Sequence, residues 1–177
     1  MQKLVLVVLL CVYAGDLAAR VAFTDGPLIA GYGKHADVGK TVIIDKAIKL
    51  KVAFDVSERS TENSLNRRFD SLARFLNMHV ANGIPAENID LALVVHGKAG
   101  LDLLNNKTYN KMSGMNNPNL DLLRLLMAKQ VKVYLCGQSA AYMEIEPSDL
   151  YEGVQMSLSA MTAHALLQQQ GYSLNPF

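Results

Sequence analysis

Residues 89–95, Ile-Asp-Leu-Ala-Leu-Val-Val, leave this chain few choices of fold. A nearly continuous apolar run of this length is typical of a parallel strand with both faces covered by helices. Residues 50–56 alternate between apolar and polar side chains, and residues 131–135 form another short apolar run, so both segments predict further strands. Helical patterns separate the three segments. We therefore expect an α/β fold with a largely parallel sheet and right-handed crossovers.

The segments between these strands predict helices. Apolar residues recur at intervals of three and four from Leu65 to His79, and Ser60 or Thr61 is expected to cap the helix that carries them. Asn117 is followed by proline, and this order is typical of a helix N-terminus. Other patterns predict an edge strand at 41–44, a short helix at 101–104, a strand at 153–158, a helix at 160–169 and a strand at 172–174.

Composition divides the chain into three parts. Residues 1–20 carry an early positive charge, an uncharged apolar core and then small residues, which is typical of a secretory signal peptide. Glycines interrupt residues 21–47, which we expect to be a lead-in, and residues 48–177 hold the α/β domain. Export would place the mature protein in the periplasm or outside the cell. With 17 basic and 16 acidic residues, the net charge of +1 argues against nucleic acid or a membrane surface as a partner.

Export gives the cysteine count a meaning, because secreted domains usually pair their cysteines. Cys11 lies in the predicted signal peptide, so the mature protein is expected to retain Cys136 alone. Cys136 ends a predicted strand, and Gly137 then opens a predicted short helix. A thiol at a helix N-terminus faces unpaired N–H groups and the positive end of the dipole, and both favour the thiolate. We therefore expect Cys136 to act as a nucleophile or sulfur carrier.

His96 follows the strand predicted at 89–95, so it is expected at the same edge of the sheet as Cys136. There it can tune the thiol or handle a proton. The residues expected to line a pocket with these two are Gly97, Gly137, Gln138 and Ser139. The polar stretch 105–117 is expected either to cover the pocket as a lid or to form a plain surface loop. No cofactor or metal is predicted, because the four histidines have no metal-ligand spacing.

Three alternatives stay open at this point. Cys136 can be a buried, inert thiol, since free cysteine is among the most buried residue types, and the protein is then a non-catalytic oligomeric binding module. His96 can be a solvent-facing residue at a strand end. Ser139, Asp149 and His164 follow one another in the order of a serine hydrolase triad. Ser139 is, however, expected about one turn inside its helix, and His164 is otherwise expected at the edge of the core.

Residues 49–177 resemble the DsrE/DsrF-like family, which includes the TusD-type sulfur-relay proteins. Four short blocks carry the resemblance through their order and spacing. They are Lys-Val-Ala-Phe-Asp-Val-Ser at 51–57, Leu-Val-Val-His-Gly at 93–97, Val-Lys-Val-Tyr-Leu-Cys at 131–136, and Gly-Val-Gln-Met at 153–156 with Gln-Gly-Tyr at 170–172. The closest likeness is to exported single-domain members.

The resemblance implies a three-layer α/β/α fold with a mostly parallel sheet and assembly into homotrimers or hexamers. It also implies that Cys136 matches the cysteine that carries a persulfide in the sulfurtransferase members. The expected partners are therefore sulfur donor and acceptor proteins or small sulfur compounds. One feature departs from the relay proteins, which often have an Arg-Gly pair downstream of the cysteine, whereas this chain has Ala141-Tyr142-Met143.

Overall fold

The computed structural model describes residues 21–61 and 63–176. The predicted signal peptide and Cys11 lie outside the described residues. Among the residues that are described, no helix is both long enough and apolar enough to cross a bilayer.

A parallel sheet lies at the centre of the domain. The strands of the described residues are β1 (Phe23–Thr24), β2 (His35–Ala36), β3 (Leu50–Val56), β4 (Ile89–Val95), β5 (Lys132–Cys136), β6 (Gln155–Ser157) and β7 (Ser173–Asn175). Five of them form one sheet in the order β6-β5-β4-β3-β7, and all neighbours in it are parallel. Strands β1 and β2 form a separate antiparallel pair. The strands predicted at 50–56 and 89–95 are confirmed.

Helices connect the strands. The α-helices are α1 (Arg67–Ala81), α2 (Asn106–Ser113), α3 (Leu120–Ala128), α4 (Gly137–Tyr142) and α5 (Ala160–Gln169), and 3₁₀ turns cover Ala86–Asn88, Gly97–Leu103 and Pro147–Asp149. The helix predicted at 160–169 is confirmed, as is a helix after Asn117. The short helix predicted at 101–104 is the end of a longer 3₁₀ segment that begins at Gly97.

The two faces of the sheet pack against different helices. One face forms the large core with α1 and α3, whose large buried apolar residues are Phe69, Leu72, Leu76, Leu122, Leu123 and Leu126. The other face forms a smaller core in which Ala163 and Leu167 of α5 pack on Ala53, Ala92 and Val94. Small side chains on this face allow close packing of α5. The result is the predicted α/β architecture, a parallel sheet between layers of helices.

Alternation along β3 determines which residues meet α5. Successive side chains of a strand point to opposite faces. Phe54 and Val56 therefore belong to the large core, whereas Ala53 belongs to the small one. Asp55 shares the face of Ala53, and its carboxylate contacts a histidine of α5. A polar residue near the carboxyl end of a central strand is thus directed toward the start of α5.

The lead-in is held to α1 by one buried amide. The Asn77 side chain is fully buried, and its oxygen accepts hydrogen bonds from the N–H groups of Leu28 (3.0 Å) and Ile29 (2.8 Å). Its NH₂ group donates to the carbonyls of Ile29 and Tyr32, each at 2.9 Å. Buried polar backbone groups need hydrogen-bond partners. This side chain supplies the partners that a neighbouring strand or a helical turn would otherwise provide.

Two sequence predictions about local structure are wrong. Residues 41–44 form no strand, and Val42 and Ile43 are 74% and 95% exposed, because no neighbouring strand pairs with this segment. Helix α1 is capped by Asn66, whose side chain accepts from the N–H of Arg68, and not by Ser60 or Thr61. Ser60 instead donates its N–H and hydroxyl to a buried carboxylate, that of Asp102. Ser60 therefore bonds to a distant residue and does not cap the helix.

Candidate functional site

Cys136 lies where β5 ends and α4 begins. It is the last residue of the strand and the N-cap of the helix, and it is 6% exposed. The next residue must be glycine, because a Cβ at Gly137 would lie 2.6 Å from the carbonyl oxygen of Ser157 and 3.2 Å from that of Leu158. This close approach brings the segment that follows β6 next to the thiol.

Hydrogen-bond donors from two segments surround the sulfur. Burial raises the pKa of the Cys136 thiol, but donation from the Ser139 hydroxyl and from the N–H groups of Ser139, Ala160 and Gln138 outweighs it. The pKa of the thiol is therefore lowered from its usual range. Ala160 is the first residue of α5, so the groups that lower this pKa come from the starts of both α4 and α5. Such an arrangement stabilises a thiolate or a persulfide anion.

Ser139 is oriented by the neighbouring strand end. Its Oγ accepts a hydrogen bond of 2.9 Å from the N–H of Gly97, which follows β4 and His96. With that lone pair occupied, the hydroxyl proton is available to the thiolate. Gly97 has a φ of +54°, and a Cβ there would lie 3.1 Å from the carbonyl oxygen of Ser57, so a side chain at this position would be strained. The turn after β4 thus supports the donor that faces Cys136.

A carboxylate holds two histidines at the same edge of the sheet. The Nε2 of His164 lies 2.7 Å from Asp55 Oδ1, and the Nε2 of His96 lies 3.2 Å from Asp55 Oδ2. Burial raises the pKa of Asp55, but the hydrogen bonds from His164 and His96 more than offset it and the pKa is lowered. Because the ionised carboxylate only accepts, each Nε2 carries the proton. Neutral His164 then has an unprotonated Nδ1, which is buried and has no partner within the described residues.

These groups line one cavity of 260 Å³. The polar and titratable side chains that line it are Asp55, His96, Cys136, Gln138, Ser139, Ser159 and His164. A thiol with a lowered pKa therefore shares a small cavity with two imidazoles and a carboxylate. This combination can attack an electrophilic sulfur and can hold or release a proton beside it.

The structure brings four of the six predicted site residues into one cavity. Cys136, His96, Gln138 and Ser139 line the same cavity, whereas Gly97 lines an adjacent cavity of 550 Å³ that shares Gln138 and Ser139 with the first. Gly137 lines neither cavity and acts through the close approach described above.

Three contributors were missed by sequence reasoning. Asp55 lies inside a predicted strand, where an acidic residue beside the end of an apolar run is the signal that could have identified it. His164 was expected at the core edge, but it is directed into the cavity by its bond to Asp55. Ala160 contributes only its backbone N–H, which no residue type reveals.

Two further expectations differ from the structure. The stretch predicted as a lid or surface loop contains α2, which lines neither cavity, and its Thr108 bonds to Asp149. The serine hydrolase triad is not assembled. Asp149 accepts from Thr108 and from the N–H of Glu146, whereas His164 bonds to Asp55.

Comparisons with known proteins identify the family of the chain. Two solved structures are similar to this chain, each with a TM-score of 0.48. One is the protein of unknown function MTH1491 from Methanobacterium thermoautotrophicum, with 17% identity over 73% of this chain and 100% of its own. The other is the ychN protein from E. coli, with 20% identity over 72% of this chain and 100% of its own. No curated protein matches the chain.

The family model that matches the chain is the one described as the DsrE/DsrF-like family. The match covers residues 49–176, which is more than half of the 177 residues and includes every residue of the small cavity. The chain therefore belongs to the DsrE/DsrF-like family.

Proposed function

We propose that the protein is a sulfur carrier or sulfurtransferase that holds a persulfide on Cys136. The observation that carries this proposal is the position of Cys136 at the N-cap of α4 in a cavity of 260 Å³ that Gln138, Ser139 and Ala160 also line, where the hydroxyl and N–H groups of these residues lower the pKa of the thiol. A buried structural cysteine has no need of such donors, and an apolar environment would raise its pKa instead. Membership of the DsrE/DsrF-like family supports the same chemistry.

The proposed step is a thiolate–sulfane exchange. The Cys136 thiolate attacks the outer sulfur of an organic persulfide or polysulfide, and a new S–S bond forms to Cys136 Sγ. The S–S bond of the donor breaks, its electron pair stays with the departing thiolate, and that thiolate takes one proton from the site, which the S–H proton of the transferred sulfur replaces. Oxidation states balance within the exchange, so no external oxidant is required. The persulfide anion left on Cys136 accepts the same donors as the thiolate did.

The two histidines and Asp55 supply the proton for this step. His164 lines the cavity and bonds to Asp55 through Nε2, whereas its Nδ1 is buried with no partner among the described residues. The His96 side chain also lines the cavity and is 34% exposed, so its imidazolium, protonated at Nδ1 and stabilised by the ionised Asp55, can donate to the departing thiolate. In the reverse direction, neutral Nδ1 accepts the proton of an incoming acceptor thiol. His96 holds the second oxygen of Asp55 and so maintains its orientation.

Sulfur loading followed by mass spectrometry tests the proposal. The protein is incubated with inorganic polysulfide, and intact mass and peptide mapping are recorded before and after reduction. We expect a mass increase of one sulfur atom on the peptide that contains Cys136, and its loss on reduction. The Cys136→Ser variant should show no increase at this peptide, whereas the matched Cys11→Ser variant should load as the wild type does.

Unfolded protein provides the decisive control. Since the donors around the sulfur exist only in the fold, loading of Cys136 at neutral pH should be slower in denaturant than in native protein. Equal loading in the two states, or none in native protein, would show that Cys136 is an ordinary thiol and that the non-catalytic alternative is correct. The predicted export and the predicted homo-oligomer stay predictions, to be checked by N-terminal sequencing of the purified protein and by its mass in solution.

A further inference from the structure

A second cavity adjoins the one that contains Cys136. It has a volume of 550 Å³, about twice the 260 Å³ of the first, and the two share Gln138 and Ser139. Leu101, Tyr142 and Met143 give it an apolar lining. Tyr142 is 90% exposed, so a large aromatic side chain stands at the opening. The mechanism proposed above makes no use of this cavity, although Ser139, the donor that faces the thiol, lines both cavities.

Positive charge distinguishes this cavity from the first. Lys98 and Arg59 both line it. Within the described part of the chain Lys98 forms no ion pair, and its side chain is exposed. Its charge is therefore available to a bound molecule.

Arg59 is only weakly neutralised. Its Nε lies 3.8 Å from Asp102 Oδ1, and this nitrogen is buried with no hydrogen-bond partner among the described residues. The carboxylate of Asp102 is already used by the N–H and hydroxyl of Ser60 and by the NH₂ of Asn66, at 2.8 to 2.9 Å. Among the described residues two cationic side chains and no acidic one line the cavity, which therefore keeps a surplus of positive charge.

An apolar lining, an exposed aromatic ring and surplus positive charge are complementary to an organic anion. We propose that the second cavity binds the organic part of the sulfur donor, and that this donor is a small persulfide with an apolar body and an anionic group such as a carboxylate. The inference rests on the proposed function, because it assumes that sulfur is delivered to Cys136. The organic part stays in the second cavity while its terminal S–SH group reaches past Ser139 into the first.

The transfer step is balanced in the same way as above. The S–S bond of the donor breaks, the outer sulfur bonds to Cys136 Sγ, and the organic part leaves as a thiol after taking one proton. The anionic group does not react, and its contribution is to binding and orientation. Lys98 also offsets the repulsion between an anionic donor and the Cys136 thiolate.

Two aromatic disulfides test this assignment without any sulfur transfer. Dithiobis(nitrobenzoate) carries two carboxylates, whereas dithiodipyridine is neutral at neutral pH. When a cysteine attacks, the first releases a coloured thiolate and the second a thione that absorbs light. Rates are measured in the Cys11→Ser background, so that only Cys136 reports, and each is divided by the rate with free N-acetylcysteine. The ratio of the two normalised rates is the preference for an anionic reagent.

Charge reversal at Lys98 should remove this preference. An exposed charge interaction of about 1 kcal/mol corresponds to about a fivefold change in rate. We expect Lys98→Glu to lower the anionic-to-neutral ratio by about fivefold or more, since the sign of the charge is inverted, and Lys98→Gln to have a smaller effect. Lys107→Glu is the matched control, because Lys107 is exposed on α2 and lines neither cavity. Added salt should reduce the ratio of the wild type and leave that of Lys98→Glu nearly unchanged.

The outcomes separate this inference from the proposed function. If Lys98→Glu and Lys107→Glu give the ratio of the parent while Cys136 still loads sulfur from polysulfide, the anionic donor is wrong and the carrier function stands. If the ratio falls but native Cys136 takes up no sulfur, the cavity binds organic anions and a sulfur donor is not its occupant. A partner protein or second copy that covers the cavity would give no preference for either reagent in the wild type, and that result also overturns the proposal.

Discussion

Replacing Ser139 with alanine removes the one side-chain hydroxyl that donates to the Cys136 sulfur. The Ser139→Ala variant keeps the N–H groups of residues 138, 139 and 160, so it weakens the stabilisation of the thiolate without abolishing it. The N–H of Gly97 loses its acceptor at 2.9 Å as well, and we expect the free energy of unfolding to fall by about 1 kcal/mol. The informative effect is on the reaction rate of the thiol as a function of pH.

The size of that effect follows from two opposing consequences. A hydrogen bond to a charged group contributes about 1.5–3 kcal/mol, and the remaining donors compensate in part, so we expect the thiolate fraction at neutral pH to fall about tenfold. The pKa of Cys136 rises toward its ordinary range. A more basic thiolate is also more nucleophilic, with a Brønsted slope of about 0.4–0.5, which returns about threefold. The net rate at neutral pH should therefore fall about threefold.

At alkaline pH the sign reverses. When both proteins are fully ionised, only the difference in nucleophilicity remains, and the variant should react about threefold faster than the wild type. The two pH–rate curves must therefore cross. Dithiodipyridine in the Cys11→Ser background measures these curves, because the reagent is neutral and its released thione absorbs light. Ser157→Ala is the near control, since the Ser157 hydroxyl donates to the carbonyls of Leu135 and Ser159 and not to the thiol.

Two results would refute this reasoning. Parallel curves that never cross would show that Ser139 affects access to the sulfur and not its basicity. An unchanged midpoint of the pH–rate curve would show that the hydroxyl makes no hydrogen bond to the thiolate. In either case the assignment of the cavity as a thiolate site would have to rest on the backbone donors alone.

Further predictions concern the supports of the site. Asp55→Asn removes a carboxylate whose pKa is lowered by two histidines. Ionised Asp55 stabilises the fold above the ordinary carboxyl range and ceases to do so as pH falls through its folded pKa. The free energy of unfolding of the variant should thus be about 1 kcal/mol lower than that of the wild type at neutral pH. Urea unfolding should show that this difference disappears toward roughly pH 3. Gly137→Ala places a Cβ 2.6 Å from a carbonyl oxygen and should lower the free energy of unfolding by about 2 kcal/mol or more. At Gly39 a Cβ would meet nothing within 4 Å, so thermal unfolding of Gly39→Ala should be nearly that of the wild type. Equal effects at the two glycines would contradict the close approach.

The sheet could be predicted because the residue pattern of each strand shows that the strand is buried. Strand β4 is apolar over almost its whole length since both of its faces are covered, and this pattern needs no knowledge of distant residues. The N-cap of α1 could not be predicted in the same way. Ser60 and Asn66 are both good capping residues, and the choice between them depends on Asp102, which lies far along the chain. A tertiary contact therefore decides which of the two residues caps α1.

The same distinction between local pattern and tertiary contact applies to the site. Cys136 and His96 could be predicted because each directly follows an apolar strand, and parallel strands end at one edge of the sheet. Asp55 and His164 are 109 positions apart and come together only through the packing of α5 on the face of β3 that carries Ala53. The donor at Ala160 is a backbone group, so no side chain marks it. The thiol and the donors next to it along the chain could thus be predicted, whereas the groups that β3 and α5 contribute could not.

The same contacts decide which of the two candidate nucleophiles the site serves. A serine becomes nucleophilic when a histidine accepts its proton. The Oγ of Ser139 accepts from the N–H of Gly97 and donates to Cys136, while Nε2 of His164 is bound to Asp55 at 2.7 Å. With its lone pair and its proton both used, Ser139 has no base that would activate it. Cys136 needs none, because the surrounding donors already lower the pKa of its thiol. The hydroxyl therefore serves the sulfur, and a hydrolase mechanism through Ser139 would require this arrangement to come apart.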